Sequence, residues 1–254
     1  SFENKPMKDQ GIDKKPPVCL TIAGLDPSGG AGIIADIKTF SAFGCFPTAA
    51  VASVTFQNTQ GVFGAVHQTA DSIRCQVEPV IDDYEVAALK TGMLPTREII
   101  DEVARLVEHF GIENVVVDPV VRSTSGFDLI DDAALSSVIE KLFPLATVIT
   151  PNIPEAELIA RMQIRSEADI ATAAGIMRNF GAENVLIKGG HLAGDRARDF
   201  LFLGDKVHVF EEDFIETNST HGTGCTLAAA ITANLALGKT LVDSVGISKK
   251  FVHE

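Results

Sequence analysis

Residues 96–119 read TREIIDEVARLVEHFGIENVVVDP, and the grammar of the whole chain is contained in them. Thr96 is a residue type that caps a helix. Apolar Ile99, Val103, Leu106, Val107 and Phe110 recur at helical spacing, and Gly111 marks the stop. Val115 to Val117 is a short apolar strand that ends in Asp118-Pro119. The pattern returns at Gly181-Ala182-Glu183-Asn184-Val185, after a helix opened by the Ser166/Asp169 capping pair. The strand Val185 to Ile187 follows and ends in Lys188-Gly189-Gly190. The echo is recurrent α/β grammar rather than a duplicated domain.

The same alternation extends in both directions. Val18 to Ala23 reads as a buried strand and 32–43 as a helix stopped by Gly44. Phe46 to Phe56 reads as a strand, with further apolar strands at Val86 to Leu89 and Ala146 to Ile149. Pro79 is expected to kink or shorten a helix over Ala70 to Ile81. Phe200–Leu203 and Val207–Phe210, around Gly204-Asp205, read as an antiparallel hairpin at one sheet edge. The expectation is a three-layer α/β/α sandwich with a mostly parallel central sheet and an antiparallel edge.

Composition narrows the function. The 254 residues are 46% hydrophobic and carry a net charge of -13, which suits a substantial core. So acidic a chain is not expected to bind nucleic acid or an anionic membrane, and no apolar run is long enough to span one. Four scattered cysteines, 19, 45, 75 and 225, with no Cys-x-x-Cys pair, point to reduced thiols and a cytoplasmic setting. Residues 1–17 mix charges without a signal-like apolar stretch and read as a flexible tail ahead of one domain, 18–254.

In open α/β sheets, ligands bind beyond the carboxyl ends of the strands. The unusual residues fall there: Asp26 to Gly32, Gln57-Asn58, Lys90 to Met93, Asp118 to Gly126, Thr150 to Asn152 and Lys188 to Gly190. His221-Gly222-Thr223-Gly224-Cys225-Thr226 then leads into an alanine-rich helix, Leu227 to Leu237. A helix N-terminus holds anions, and its field favours a thiolate at Cys225. The glycine-rich turn and an inert small cysteine are the bland alternative.

Each remaining candidate has two readings. Asn152 and Glu155 suit either a hydrated magnesium ion or a helix cap. Lys188 suits a phosphate or a salt bridge to a sheet-edge carboxylate. Gln57 has the donor and acceptor to read a heterocycle's edge. Asp36 binds a ligand amine or decorates its helix, Met93 is core or ring contact, and His221 orients a ligand or caps its turn. Together these residues point to phosphoryl transfer from a nucleotide.

Seven motifs in register resemble one family closely: Thr21–Gly24, Asp26–Gly32, Gln57-Asn58-Thr59, Lys90–Leu94, Thr150–Glu155, Lys188–His191 and 221–226. They look like the hydroxymethylpyrimidine/phosphomethylpyrimidine kinases of thiamine biosynthesis, in the ribokinase superfamily. The resemblance implies a ribokinase-like fold and two successive ATP-dependent phosphorylations of the pyrimidine, giving the diphosphate. It implies a catalytic base at Cys225, with the Gly222, Gly224 and Cys225 amides holding the transferring group. Gln57 and Asp36 would recognise the aminopyrimidine, with Gly24, Ala31, Thr55, Met93 and His221 lining its pocket. Asn152, Glu155, Lys188 and Thr223 would serve ATP, and Glu155 with Asn152 the Mg2+. A homodimer is implied too. Phe56 stands where a small residue is usual, so an altered pocket is expected. Thr124 replaces a frequent lysine of the covering loop, where Arg122 offers a charge instead. The rivals are a pyridoxal kinase of dual specificity and a pyrimidine-binding module without turnover.

Overall fold

The computed structural model of the chain describes residues 15–58, 60–122, 126, 128–189, 196–213 and 222–253. Most of the expected tail, together with His221, Thr59, Gly190, His191 and Ser123 to Ser125, lies outside them. Among the described residues nine strands form one sheet. They are β1 (Val18–Leu25), β2 (Phe46–Asn58), β3 (Gly61–His67), β4 (Val86–Thr91), β5 (Val115–Val117), β6 (Val148–Ile149), β7 (Val185–Lys188), β8 (Arg196–Leu203) and β9 (Lys206–Asp213). Their order is β3-β2-β1-β4-β5-β6-β7-β8-β9, parallel from β2 to β7 and antiparallel at both ends. The expected hairpin is β8–β9. The antiparallel β3 at the opposite edge is an addition to the sequence reading. Its Gly61 and Gly64 and its half-exposed side chains leave no burial alternation to read.

The pleat explains why helices cover both faces. Val115 and Val117 of β5 join one apolar cluster while Val116 joins another. Val185 and Ile187 of β7 likewise oppose Leu186. The larger cluster packs under α2 (Ala70–Asp83), α3 (Arg97–Phe110), α5 (Ile153–Ala160) and α6 (Glu167–Asn179). The other face is covered by α1 (Gly32–Ala42), α7 (Thr223–Ala236) and α8 (Leu241–His253). A short α4 (Asp132–Ser137) runs into a π turn before β6. Each fully buried Leu, Ile or Phe contributes about 1.5–3 kcal/mol, and Leu20, Ile22, Phe40, Ile99 and Phe143 are of this kind.

The caps follow the local chemistry. The Thr96 hydroxyl accepts the Ile99 N–H at 3.4 Å, and Gly111 ends α3 with φ 63°. Ser166 accepts the Asp169 N–H at 3.2 Å. Pro79 does not shorten the helix: α2 runs through it to Asp83. The proline removes one ladder bond, but Cys75, whose carbonyl is released, is on the exposed side. Buried Ile73 and Val77 hold the helix to the sheet on the other side.

Candidate active site

The pleat aims two lysines into the layer between the sheet and α1/α7. Thr21 of β1 pairs in register with Lys90 of β4, on the face opposite Leu20 and Leu89. Lys188 shares the face of Leu186. Both lysines end their strands or nearly so, on the rim where a ligand enters.

A cavity of about 1120 Å³ opens on this rim. It is large enough for two small molecules. Its wall combines residues from β1, β2, β4, the end of β5, α5, β7, β8, α7 and α8.

Close backbone approach builds its centre. Gly222, at φ 82°, caps α7, and a Cβ there would lie 1.8 Å from the Gly30 carbonyl oxygen. Gly32, at φ 55°, would place a Cβ 2.2 Å from the Gly24 carbonyl oxygen. The Asp26 carboxylate tightens this loop by accepting the Ser28 N–H at 2.8 Å and the Ala31 N–H at 2.9 Å. Helix α7 therefore begins at Thr223, four residues before the expected apolar start, and Cys225 lies in its first turn. The first intrahelical bond runs from Thr226 N–H to the Gly222 oxygen, 2.9 Å. The N–H groups of Gly222, Gly224 and Cys225 therefore have no acceptor within the helix.

Cys225 does not behave as the helix field alone predicts. Burial pushes its thiol up to about 11, outweighing the nearby Lys90 ammonium and a hydrogen bond from the Gly32 backbone. Asp118 and Asp36 add to the rise. The expectation of a depressed thiol pKa is thus corrected. Desolvation of the half-buried Cys225 thiol outweighs the favourable charge and hydrogen bond beside it.

Lys188 donates to Asp118 Oδ1 at 3.0 Å, and that oxygen also accepts the Thr150 hydroxyl at 2.9 Å. The carboxylate partner is thus at the end of central β5 rather than at a sheet edge. Burial pulls the Lys188 ammonium down, but Asp118 and Glu155 outweigh it and its pKa is raised. Its Nζ sits 3.3 Å from where a Gly224 Cβ would be, directly against the α7 N-terminus.

Asn152 and Glu155 form a capping box at the start of α5. The Glu155 N–H donates to Asn152 Oδ1 at 2.9 Å, and the Asn152 N–H donates to Glu155 Oε2 at 2.8 Å. Burial raises the Glu155 carboxyl to about 7, against the pull of Lys188. Each residue keeps an unused lone-pair direction, since a carboxylate has about four acceptor sites and an amide oxygen two. That fits a magnesium ion held largely through its waters. Among the described residues no cluster of three acidic, histidine or cysteine side chains forms a direct cage.

At the other end, the Thr55 hydroxyl lies 2.9 Å from the Leu25 oxygen and 3.0 Å from Gln57 Oε1. This turns the Gln57 amide group toward the cavity that both residues line. Gly24, Ala31 and Met93 line it as well. A side chain on Gly24 would meet Met93 Sδ at 3.0 Å. Phe56 is exposed, lies over Gly64 and is not part of the cavity, so it does not reshape it. Arg122 lines the mouth, 2.6 Å from Asp128.

Asp36 is placed elsewhere than the sequence reading expects. It is fully buried and absent from the cavity wall. One oxygen accepts the Thr21 hydroxyl at 2.6 Å and the Lys90 ammonium at 3.0 Å. Burial pushes its carboxyl up, and Lys90 and Thr21 draw it back. Lys90, itself fully buried, is desolvated, yet Asp36, Cys225 and Asp118 together outweigh this and its pKa is raised. Asp36 thus acts below the floor, through Lys90. Lys90, Asp118, Asp199 and Lys249 line the cavity but carried no assigned role in the sequence. The strand-end position of Lys90 and Asp118 was the available signal.

Comparison with known proteins agrees with this geometry. The family model for phosphomethylpyrimidine kinase matches residues 26–254. The chain is 44% identical to hydroxymethylpyrimidine/phosphomethylpyrimidine kinase of Rhizobium meliloti, over 93% of this chain and 89% of that protein. It is 43% identical to the Bacillus subtilis protein of the same name, over 92% and 87%. The crystal structure of phosphomethylpyrimidine kinase from Clostridium difficile 630 superposes with TM-score 0.83 at 40% identity, covering 93% of this chain and 98% of that one. Pyridoxal kinase from Staphylococcus aureus, in complex with AMP-PCP and pyridoxal, superposes with TM-score 0.86 at 34% identity, covering 94% and 87%. The fold, the rim cavity and these matches together establish that the chain belongs to the phosphomethylpyrimidine kinase family.

Proposed function

We propose that the chain is a two-step kinase of thiamine biosynthesis. It transfers a phosphoryl group from ATP to 4-amino-5-hydroxymethyl-2-methylpyrimidine, then a second to the monophosphate. One observation carries this reading: the α7 N-terminus, with Cys225 in its first turn and Lys188 against Gly224, opens into the cavity that Gln57 lines.

The residues divide the work. The Gln57 amide and Thr55 hold the heterocycle, with Gly24, Ala31 and Met93 around it. Gly222, Gly224 and Cys225 direct N–H groups at the transferring phosphoryl, where charge is spread over oxygens. Cys225, acting as its thiolate, accepts the hydroxymethyl proton as the new O–P bond forms and the bond to ADP breaks. Lys188 exchanges Asp118 for phosphate oxygens, with Thr223 nearby. Asn152 and Glu155 would hold Mg2+ through its waters, and the ion so held would supply charge neutralisation for the donor phosphates. The protein acts in the cytoplasm, a setting supported by its four free cysteines, and its net charge of -13 disfavours nucleic acid and anionic membranes as partners. No described helix is long and apolar enough to cross a membrane. The exposed Phe56, Phe63 and Val66 on the β2–β3 edge support a homodimer.

The test is mass spectrometry of products from ATP, magnesium and the pyrimidine, with pyridoxal in a parallel reaction. Mono- and diphosphate of the pyrimidine are expected. Product from pyridoxal alone would transfer the chain to the second reading, pyridoxal phosphorylation, which the pyridoxal-bound neighbour favours. Ligand binding without ADP release would replace the kinase by a binding module. Cys225→Ala is expected to bind ATP and lose most turnover; near-normal turnover would remove the base assignment.

A further inference from the structure

Helix α8 carries a charge on its inward face. Its buried residues are Ser244, Val245, Ser248 and Lys249. The Lys249 ammonium donates to Asp199 Oδ2 at 2.6 Å, with both side chains more than nine-tenths buried. Asp199 Oδ1 accepts the Gly189 N–H at 3.1 Å. Asp199 also stands directly opposite Lys188 in the β7–β8 register. One carboxylate therefore ties the C-terminal helix to the residue that follows Lys188. Gly189 packs closely on β8, where a Cβ would lie 2.2 Å from the Arg198 oxygen.

The pair is placed for a ligand. Lys249, Asp199, Ala197, Val252 and His253 line the same cavity as Gln57 and Thr55. In the sheet order, β8 stands six strands from β2, roughly 25–30 Å at the usual spacing. The α7 N-terminus and Lys188 lie between. An ammonium has three N–H bonds. Among the described residues one goes to Asp199, and two remain for a group in the cavity. Stability alone is a poor reason for this arrangement, since an apolar pair of equal volume is often as stable as a buried ion pair.

We propose that Lys249, oriented by Asp199, is a positioning residue for the phosphate donor. It supplies the cation at the β8 end of the cavity for a nucleoside di- or triphosphate. Through Asp199 and Gly189 it also fixes the turn that presents Lys188. This rests on the reading of the cavity as a kinase site, and it adds the C-terminal helix to that site.

The test compares Lys249→Met, Lys249→Arg and Asp199→Asn with the unaltered protein, using ADP binding by calorimetry and steady-state kinetics. Lys249→Met is expected to weaken ADP binding and raise the ATP KM by tenfold or more. The pyrimidine KM is expected to stay within threefold, and kcat to fall by less than the ATP KM rises. Lys249→Arg should recover most of the ADP affinity. Unchanged ADP affinity, or equal losses in kcat and both KM values, overturns the proposal. If Lys249→Met does not fold, the near-isosteric Asp199→Asn is decisive: it should weaken ADP binding severalfold, and normal affinity overturns the proposal. ADP binding needs no acceptor, so the two readings fail separately. Lysine-dependent ADP binding without pyrimidine phosphorylation removes only the assigned reaction. Pyrimidine phosphorylation with lysine-independent ADP binding removes only this inference.

Discussion

Replacing Asp36 by Asn tests whether the floor of the site is held by charge. Asp36 and Lys90 are both fully buried and 3.0 Å apart. Asn keeps the shape and can still accept from Thr21, but it leaves the Lys90 ammonium without its anion. Removing one partner of a buried pair costs about 3–5 kcal/mol, because the other charge stays desolvated. For a domain of about this size, each kcal/mol lowers the melting temperature by roughly 2–4 °C. Asp36→Asn should therefore melt about 6–20 °C below the unaltered protein, followed by circular dichroism at fixed pH. Asp36→Leu combined with Lys90→Met removes both charges and should regain most of the loss. A drop under about 2 °C in the single variant would refute the argument, as would a double variant no better than the single. A fall in pyrimidine affinity with unchanged melting would restore Asp36 to the direct ligand contact expected from sequence.

Cys225, with its thiol raised to about 11, is protonated at neutral pH in the free protein. A base that must lose that proton makes kcat/KM rise with pH, about tenfold per unit between pH 7 and 10; Cys225→Asp should flatten the profile, and a wild-type plateau below pH 8 would contradict this. Gln57→Ala removes about 1 kcal/mol of hydrogen bonding and should raise the pyrimidine KM about fivefold with the ATP KM unchanged; equal rises would make the residue structural. Gly222→Ala forces a Cβ to 1.8 Å from the Gly30 oxygen and should abolish phosphorylation. Gly44→Ala, with similar positive φ but nothing within 4 Å, should cost only about 1–2 kcal/mol of backbone strain and keep activity. Melting curves and product assays on both variants check the contrast.

The order of strands and helices was legible in the sequence because its signals are local. A capping hydroxyl such as Thr96, a stop such as Gly111 and the apolar period between them act within a few residues. Once the sheet is parallel, strand-end motifs must share a rim, so Gln57, Lys188 and Cys225 could be brought to one site from sequence. The β3 edge escaped because half-exposed, glycine-containing strands carry no alternation. What only the tertiary structure decided is the state of each charge. Asp36 meets Lys90 across 54 residues, Lys188 meets Asp118 across 70, and Lys249 meets Asp199 across 50. Sequence spacing carries no record of such partners. Desolvation, which keeps Cys225 a thiol and makes Lys90 a necessary partner for Asp36 beneath the floor, depends on how many layers cover a group. That depth exists only when the sheet has closed between its helices.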